Sequence, residues 1–375
     1  MKSLIGNSRE LRGASFALVS AAAGVILMRI FVYFLPIDTS TYGYSLLRDA
    51  LFSLPTQLLF FAAVPFLIYK YYGKRTALEV LEYSNIGSFG KDKKGEKPFR
   101  AYYLLAIPLG LCVFVVTVGV SSSWMQLLRL TGYKYVSSSP DMPEKFNFGF
   151  MFAEIVMTAI LPAVCEEFCM RGGVLTSSRK VFKTVGAIVF CGVAFGLFHQ
   201  NVRQVFYTAL FGALAAYMTI RLRSIFPAML MHFANNFASV FISYATNYGW
   251  AVGGGFYAMF DTMPVWAMFL LFIAVVGVGV GIVIVMLYFK DKRVMEKKIE
   301  TVKDSAFDVT NKRVVLFGEY DPQKISDLEM EKEVYGADYE EDKYKPTARD
   351  MMIAIACGVT TFLTTVFTYV WGFFY

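Results

Sequence analysis

The chain has 375 residues, of which 56% are hydrophobic and only 17% charged. Soluble domains of this size carry about a quarter charged residues, and here the apolar residues come in long runs. The composition therefore excludes a soluble enzyme and points to an all-α integral membrane protein. The net charge of +7 is read as membrane orientation, because no basic stripe interleaved with aromatics argues for nucleic acid.

Nine apolar segments follow in order. The first runs from Ala14 to Leu35 and is closed by Pro36. It follows Lys2, Arg9 and Arg12 but is long and lacks a cleavage site, so it reads as a retained helix. The second spans Ala50 to Tyr72 and the third Ala101 to Trp124. The fourth begins near Phe148 and carries Glu166-Glu167-Phe-Cys-Met-Arg171. The fifth covers Val185 to His199, the sixth Val205 to Ile220 and the seventh Ile225 to Tyr244. The eighth, Val265 to Phe289, is the most apolar, and the ninth is Met351 to Phe374. The expected organisation is a transmembrane bundle over 1–289, with the chemistry in 148–244. A charged cytoplasmic linker over 290–349 and a C-terminal transmembrane helix over 350–375 complete it.

The loops alternate in charge. Lys and Arg concentrate at the N-terminus and after segments two, four, six and eight, for example Lys74, Arg179, Arg223 and Lys290. The positive-inside rule then places the N-terminus in the cytoplasm. The stretch after Lys290 starts basic and turns acidic, with one strand-like run, Arg313-Val-Val-Leu-Phe317. It reads as a solvated tether. Gly277-Val-Gly-Val-Gly281 lies inside an apolar run, where small residues mean close helix packing rather than a nucleotide loop. The five cysteines form no CxxC pair and read as small buried hydrophobes.

Only two histidines occur, His199 and His232, and both lie in apolar segments beside other polar groups. Ionisable side chains in a bilayer are costly and are functional candidates by default. Spacing of i,i+4 puts Glu167 and Arg171 on one helix face as an ion pair, stacks His232 over Asn236, and sets Phe195 one turn below His199. Glu166 lies about 100° round the helix from Glu167, so only one acid faces Arg171. A hairpin of segments four and five, turning near Phe182, brings Glu166 and His199 to similar depth, provided the helix continues through Gly172-Gly173. The depths are in tension. His232 follows Arg223 by nine residues and belongs to the inner half, whereas the turn Gln200 to Arg203 draws His199 outward. A polar cavity at mid-depth reconciles them. Arg29 and Glu154 are also in apolar runs but lack such company.

The ordered set Glu166-Glu167-x-x-x-Arg171, Phe195-x-x-x-His199 and His232-x-x-x-Asn236 resembles the CPBP (ABI) family, the type II CAAX prenyl endopeptidases. The likeness covers about Phe148 to Tyr244. It implies an eight-helix family core around a conical cavity, to which the ninth segment is an addition. It also implies an intramembrane endopeptidase in which Glu166 is the general base and His199 positions the water. His232 and Asn236 would stabilise the oxyanion, and Glu167 and Arg171 would hold the geometry. Family members are described both as metalloproteases and as metal-independent glutamate proteases. A zinc ion would take Glu166, His199 and His232, but no HExxH is present and Asn236 suits an oxyanion donor better than a metal ligand, so a metal-free reaction is preferred. The expected partners are the lipid bilayer and a protein or peptide substrate, lipidated or not, with a bacterial plasma membrane as the expected location. The alternative is a non-enzymatic membrane scaffold or a bacteriocin self-immunity or regulatory protein keeping the same fold. A transporter would show discontinuous helices and duplicated halves, which the sequence does not.

Overall fold

The computed structural model describes residues 2–38, 40–86, 99–134, 142–179, 182–308 and scattered positions between 356 and 370. Every regular element among the described residues is helical. The run Arg313 to Phe317 lies outside them.

Helix α1 (Lys2–Tyr33) stops short of Pro36, which cannot continue a helix. Helix α2 (Tyr42–Gly73) ends where Lys74 turns left-handed at φ 51°. A short α3 (Ala77–Tyr83) opens on a reciprocal cap in which Glu79 N–H donates to the Thr76 hydroxyl and Thr76 N–H to the Glu79 carboxylate. Helix α4 (Ala101–Leu130) follows, then α5 (Phe148–Ser178), whose first amides are capped by Asn147 Oδ1. Next come α6 (Thr184–Phe198), α7 (Val205–Leu222) and α8 (Phe226–Asn247), the last with Pro227 in its first turn. A turn at Gly249, φ +65°, leads to α9 (Ala251–Thr262) and the long α10 (Val265–Asp308).

Among the described residues, six helices are long and apolar enough to cross a membrane: α1, α2, α4, α5, α7 and the Trp266–Arg293 part of α10. Helix α6 is apolar but shorter, and α8 is interrupted by His232, Asn235 and Asn236. The expected all-α membrane bundle is the observed fold. Several boundaries differ from expectation. Helix α2 starts eight residues early, because Arg48 and Asp49 end the apolar run without ending the helix. Helix α10 runs on to Asp308, so the first part of the expected linker is helical; Lys, Glu and Met there are good helix formers. Helix α9 was hidden by Gly253-Gly254-Gly255. In the C-terminal segment the described positions are helical. The Tyr369 hydroxyl donates to Thr131 Oγ1 at 2.8 Å and its ring stacks on Tyr133, which docks this segment at the C-terminal end of α4.

The core lies where α5, α6, α7 and α8 meet, with Met170, Cys191, Phe195, Ala215 and Met231 buried together. Helices α6 and α7 approach closely: a Cβ on Gly196 would sit 2.5 Å from the Val205 carbonyl oxygen. Small residues that let backbones meet are the usual means of packing helices in lipid, where burial adds no hydrophobic gain. Helix α5 does continue through Gly172-Gly173, as a widened π-helical stretch over Phe168–Leu175. A Cβ on Gly173 would overlap the Tyr69 ring, so glycine there admits α2. Two further widened stretches occur, Thr56–Ala63 in α2 and Ile155–Ile160 in α5. They adjoin Pro55, Pro65 and Pro162, residues that cannot donate within an α-helical ladder.

Candidate active site

Helix α5 supplies both carboxylates. Glu166 is 7% exposed and Glu167 fully buried. They diverge as their positions on the helix require. Gln57 of α2 donates from Nε2 to Glu166 Oε1 at 2.7 Å, and Glu166 Oε2 has no hydrogen-bond partner among the described residues. Glu167 turns to the opposite side and meets Arg171, whose Nη1 donates to Oε1 at 2.9 Å. The Arg171 fork continues to the Gly212 carbonyl of α7 at 3.2 Å, and its plane lies 4.3 Å from the Phe195 ring. This cation is fully buried, a situation tolerated only with a partner carboxylate and hydrogen bonds.

Glu167 Oε1 takes a second donor, His232 Nδ1 of α8, at 2.8 Å. Sequence reasoning gave Glu167 only its arginine; the histidine contact needs the α5–α8 packing. A carboxylate has no proton to give, so Nδ1 is the donor and Nε2 is the nitrogen left for chemistry. The His232 ring is walled by Phe195 and Phe211, with centroids at 6.0 and 4.9 Å.

His199 stands just past the C-terminal end of α6. Its Nδ1 lies 2.8 Å from the Phe195 carbonyl, which can only accept, so Nε2 here also carries the free lone pair. Phe195 packs edge-on against it at 4.9 Å. Arg29 of α1 reaches the carbonyls of His199 and Gln200 at 3.4 and 3.5 Å, and Gln200 Nε2 donates to the Ala22 carbonyl. Helix α1 thus ties down the turn after His199, a role for Arg29 that its isolation in the sequence did not suggest. Glu166, His232 and Arg171 all lie within electrostatic range of His199.

Asn236, one turn after His232, donates from Nδ2 to the Thr158 carbonyl at 2.8 Å and accepts from Asn235 Nδ2 at 2.9 Å. Asn235 in turn lies 3.4 Å from Thr117 of α4. The anticipated residues thus converge from α5, α6 and α8, and the structure adds Gln57 and Asn235. Gln57 had a signal, a lone amide in the apolar run after Pro55; its partner was not readable. Glu154 lies apart, bonded by the Tyr42 hydroxyl, which also contacts the Tyr244 hydroxyl. Cys165 and Cys169 are core residues. No group of three or more His, Cys, Asp or Glu side chains among the described residues is arranged to hold a metal ion.

Residues 148–238 match the family model described as Rce1-like, type II CAAX prenyl endopeptidase. No curated protein and no solved structure matches the chain. The matched segment contains every one of Glu166, Glu167, Arg171, Phe195, His199, His232 and Asn236.

Proposed function

With the Rce1-like segment over 148–238 as premise, we propose that the chain hydrolyses a peptide bond of a membrane-associated protein or peptide by glutamate-activated water. The observation that carries this reading is the pair of oxygens on Glu166. One is fixed by Gln57 and the other is buried and unpartnered among the described residues, which suits a base that must take a proton.

In this mechanism water donates one proton toward Glu166 Oε2 and is aligned by the lone pair on His199 Nε2. Its oxygen attacks the carbonyl carbon as Glu166 takes the proton. Charge develops on the carbonyl oxygen, and the second Nδ2 hydrogen of Asn236 donates to it, beside the His232 ring that Glu167 fixes through Nδ1. Collapse breaks the C–N bond, and the amine leaves with the proton from Glu166. Glu167, shared between Arg171 and His232, holds the imidazole as the third member of a triad does.

Every step uses side chains of this chain alone. The metal-free version is the one proposed; in support of it, no group of three or more His, Cys, Asp or Glu side chains among the described residues is arranged as a metal-ligand cluster. The expected result is cleavage that survives chelation and purified protein without stoichiometric zinc; loss of cleavage on chelation, restored by zinc alone, would overturn the metal-free version. For the reaction itself, Glu166→Gln, His199→Ala and His232→Ala should each abolish cleavage while the protein still inserts and accumulates. Three active variants would sink the protease reading and favour a scaffold. We also propose a plasma-membrane location with the N-terminus in the cytoplasm, supported by the alternation of Lys and Arg along the loops.

A further inference from the structure

A cavity of about 470 Å³ lies between α4, α7 and α10, separated from the candidate active site by Phe211. Its lining is a stripe on each helix: Leu109 to Val120 on α4, Tyr207 to Tyr217 on α7 and Val275 to Leu287 on α10. At 1.5 Å per residue these stripes make it about 15–18 Å long. An apolar groove of that length accommodates an extended hydrocarbon chain along the three helices. Val276, Val280 and Ile284 line it and are exposed, so it opens sideways where lipid lies.

The three stripes run into basic residues at one and the same end. On α7, Arg221 stands one turn beyond Tyr217, and its Nε is buried without a hydrogen-bond partner among the described residues. Arg100, just ahead of α4, has Nη1 in the same condition. On α10, Leu287 is followed by Lys290 and Arg293. Tyr102 joins the two sides: its ring stacks on Phe289, and it lies within electrostatic range of Arg100 and Arg293. A long apolar slot followed at one end by three arginines, two of them with one buried nitrogen that has no hydrogen-bond partner among the described residues, is complementary to a lipid with a phosphate headgroup and net negative charge.

We propose that this groove is a binding site for an anionic phospholipid of the surrounding membrane, with one acyl chain between α4, α7 and α10 and the headgroup phosphate on Arg100, Arg221 and Arg293. The site adjoins the catalytic wall, since Phe211 lines it and packs on His232. Binding is nevertheless independent of whether the chain is a protease.

The test is native mass spectrometry of the full chain in detergent, titrated with phosphatidylglycerol and with phosphatidylcholine. Phosphatidylglycerol should bind more tightly. Arg100→Gln with Arg293→Gln should cut that preference by about fivefold per arginine, about twenty-five-fold together. Arg100→Lys with Arg293→Lys should retain most of it, which separates lost charge from lost fold. A Cβ on Gly279 would point at Leu109 and Cys112 at ordinary contact distance, so Gly279→Leu fills the slot and should weaken both lipids at least tenfold. Equal affinity for the two lipids would mean that the groove holds bulk lipid or a substrate's lipid anchor, and would overturn the proposal. So would binding unchanged by the Gly279 substitution.

Discussion

At the scale of single residues, the candidate site is a set of side chains each fixed through one atom so that another is left for chemistry. Glu166 is held through Oε1, while both imidazoles are held through Nδ1. Gln57 is therefore a positioning residue: Gln57→Leu should lower turnover about ten- to a hundredfold, the usual cost of losing an outer hydrogen-bond partner, with unchanged accumulation in the membrane. Glu167 is different because it also neutralises a buried cation. Glu167→Ala strands Arg171 and should cost about 3–5 kcal/mol, read as a lower thermal midpoint in detergent. Replacing both residues by Leu and Met should recover much of that stability without recovering cleavage. The i,i+4 pairs were legible in the sequence because one helix fixes them. Gln57–Glu166 and Glu167–His232 were not, because each joins residues far apart in the chain whose meeting is decided by packing.

Among the elements, the α6–α7 contact carries the most weight for the site. It sets Phe195 against Arg171 and His232, and it presents the Gly212 carbonyl to the arginine. Gly196→Leu should drive the two helices apart, with loss of the folded protein on size-exclusion chromatography. Gly281→Leu, at a position with no neighbouring atom within 4 Å, should be tolerated. Helix existence was readable from apolar runs, but helix ends were not. Arg48 and Asp49 in α2 and the charged turns of α10 extend helices beyond their apolar parts, since backbone hydrogen bonding is indifferent to side-chain polarity. Helix α9 escaped notice because its three glycines lower helix propensity, and packing overrode them.

Across the whole molecule, the core of the site is shared by helices that are distant in sequence, with α1 and α2 as its outer supports. Arg29 on α1 secures the turn after His199, so Arg29→Ala should reduce activity without touching any reacting group; unchanged activity would remove α1 from the account. Topology can be checked by labelling. A cysteine replacing Lys292 should react with impermeant reagent only from the cytoplasmic side, and one replacing Lys134 only from the opposite side. The loop charges give the expected orientation that this labelling tests. The pairing of α5 with α6 followed from the hairpin near Phe182, but the approach of α8 to them was readable only through the resemblance, because periodicity says which face of a helix is polar and not which helix it will face.

The widened stretches of α2 and α5 have a consequence for descent. A π-helical turn is an α-helix with one residue inserted, and each residue turns the helix by about 100°. Removing one residue from Ile155–Ile160 would leave Glu166 on Gln57 but swing Glu154 away from Tyr42. Homologues without that turn should align with a single-residue gap there, and the gap would mark which of them lost the Tyr42–Glu154 contact while keeping the Gln57–Glu166 pair.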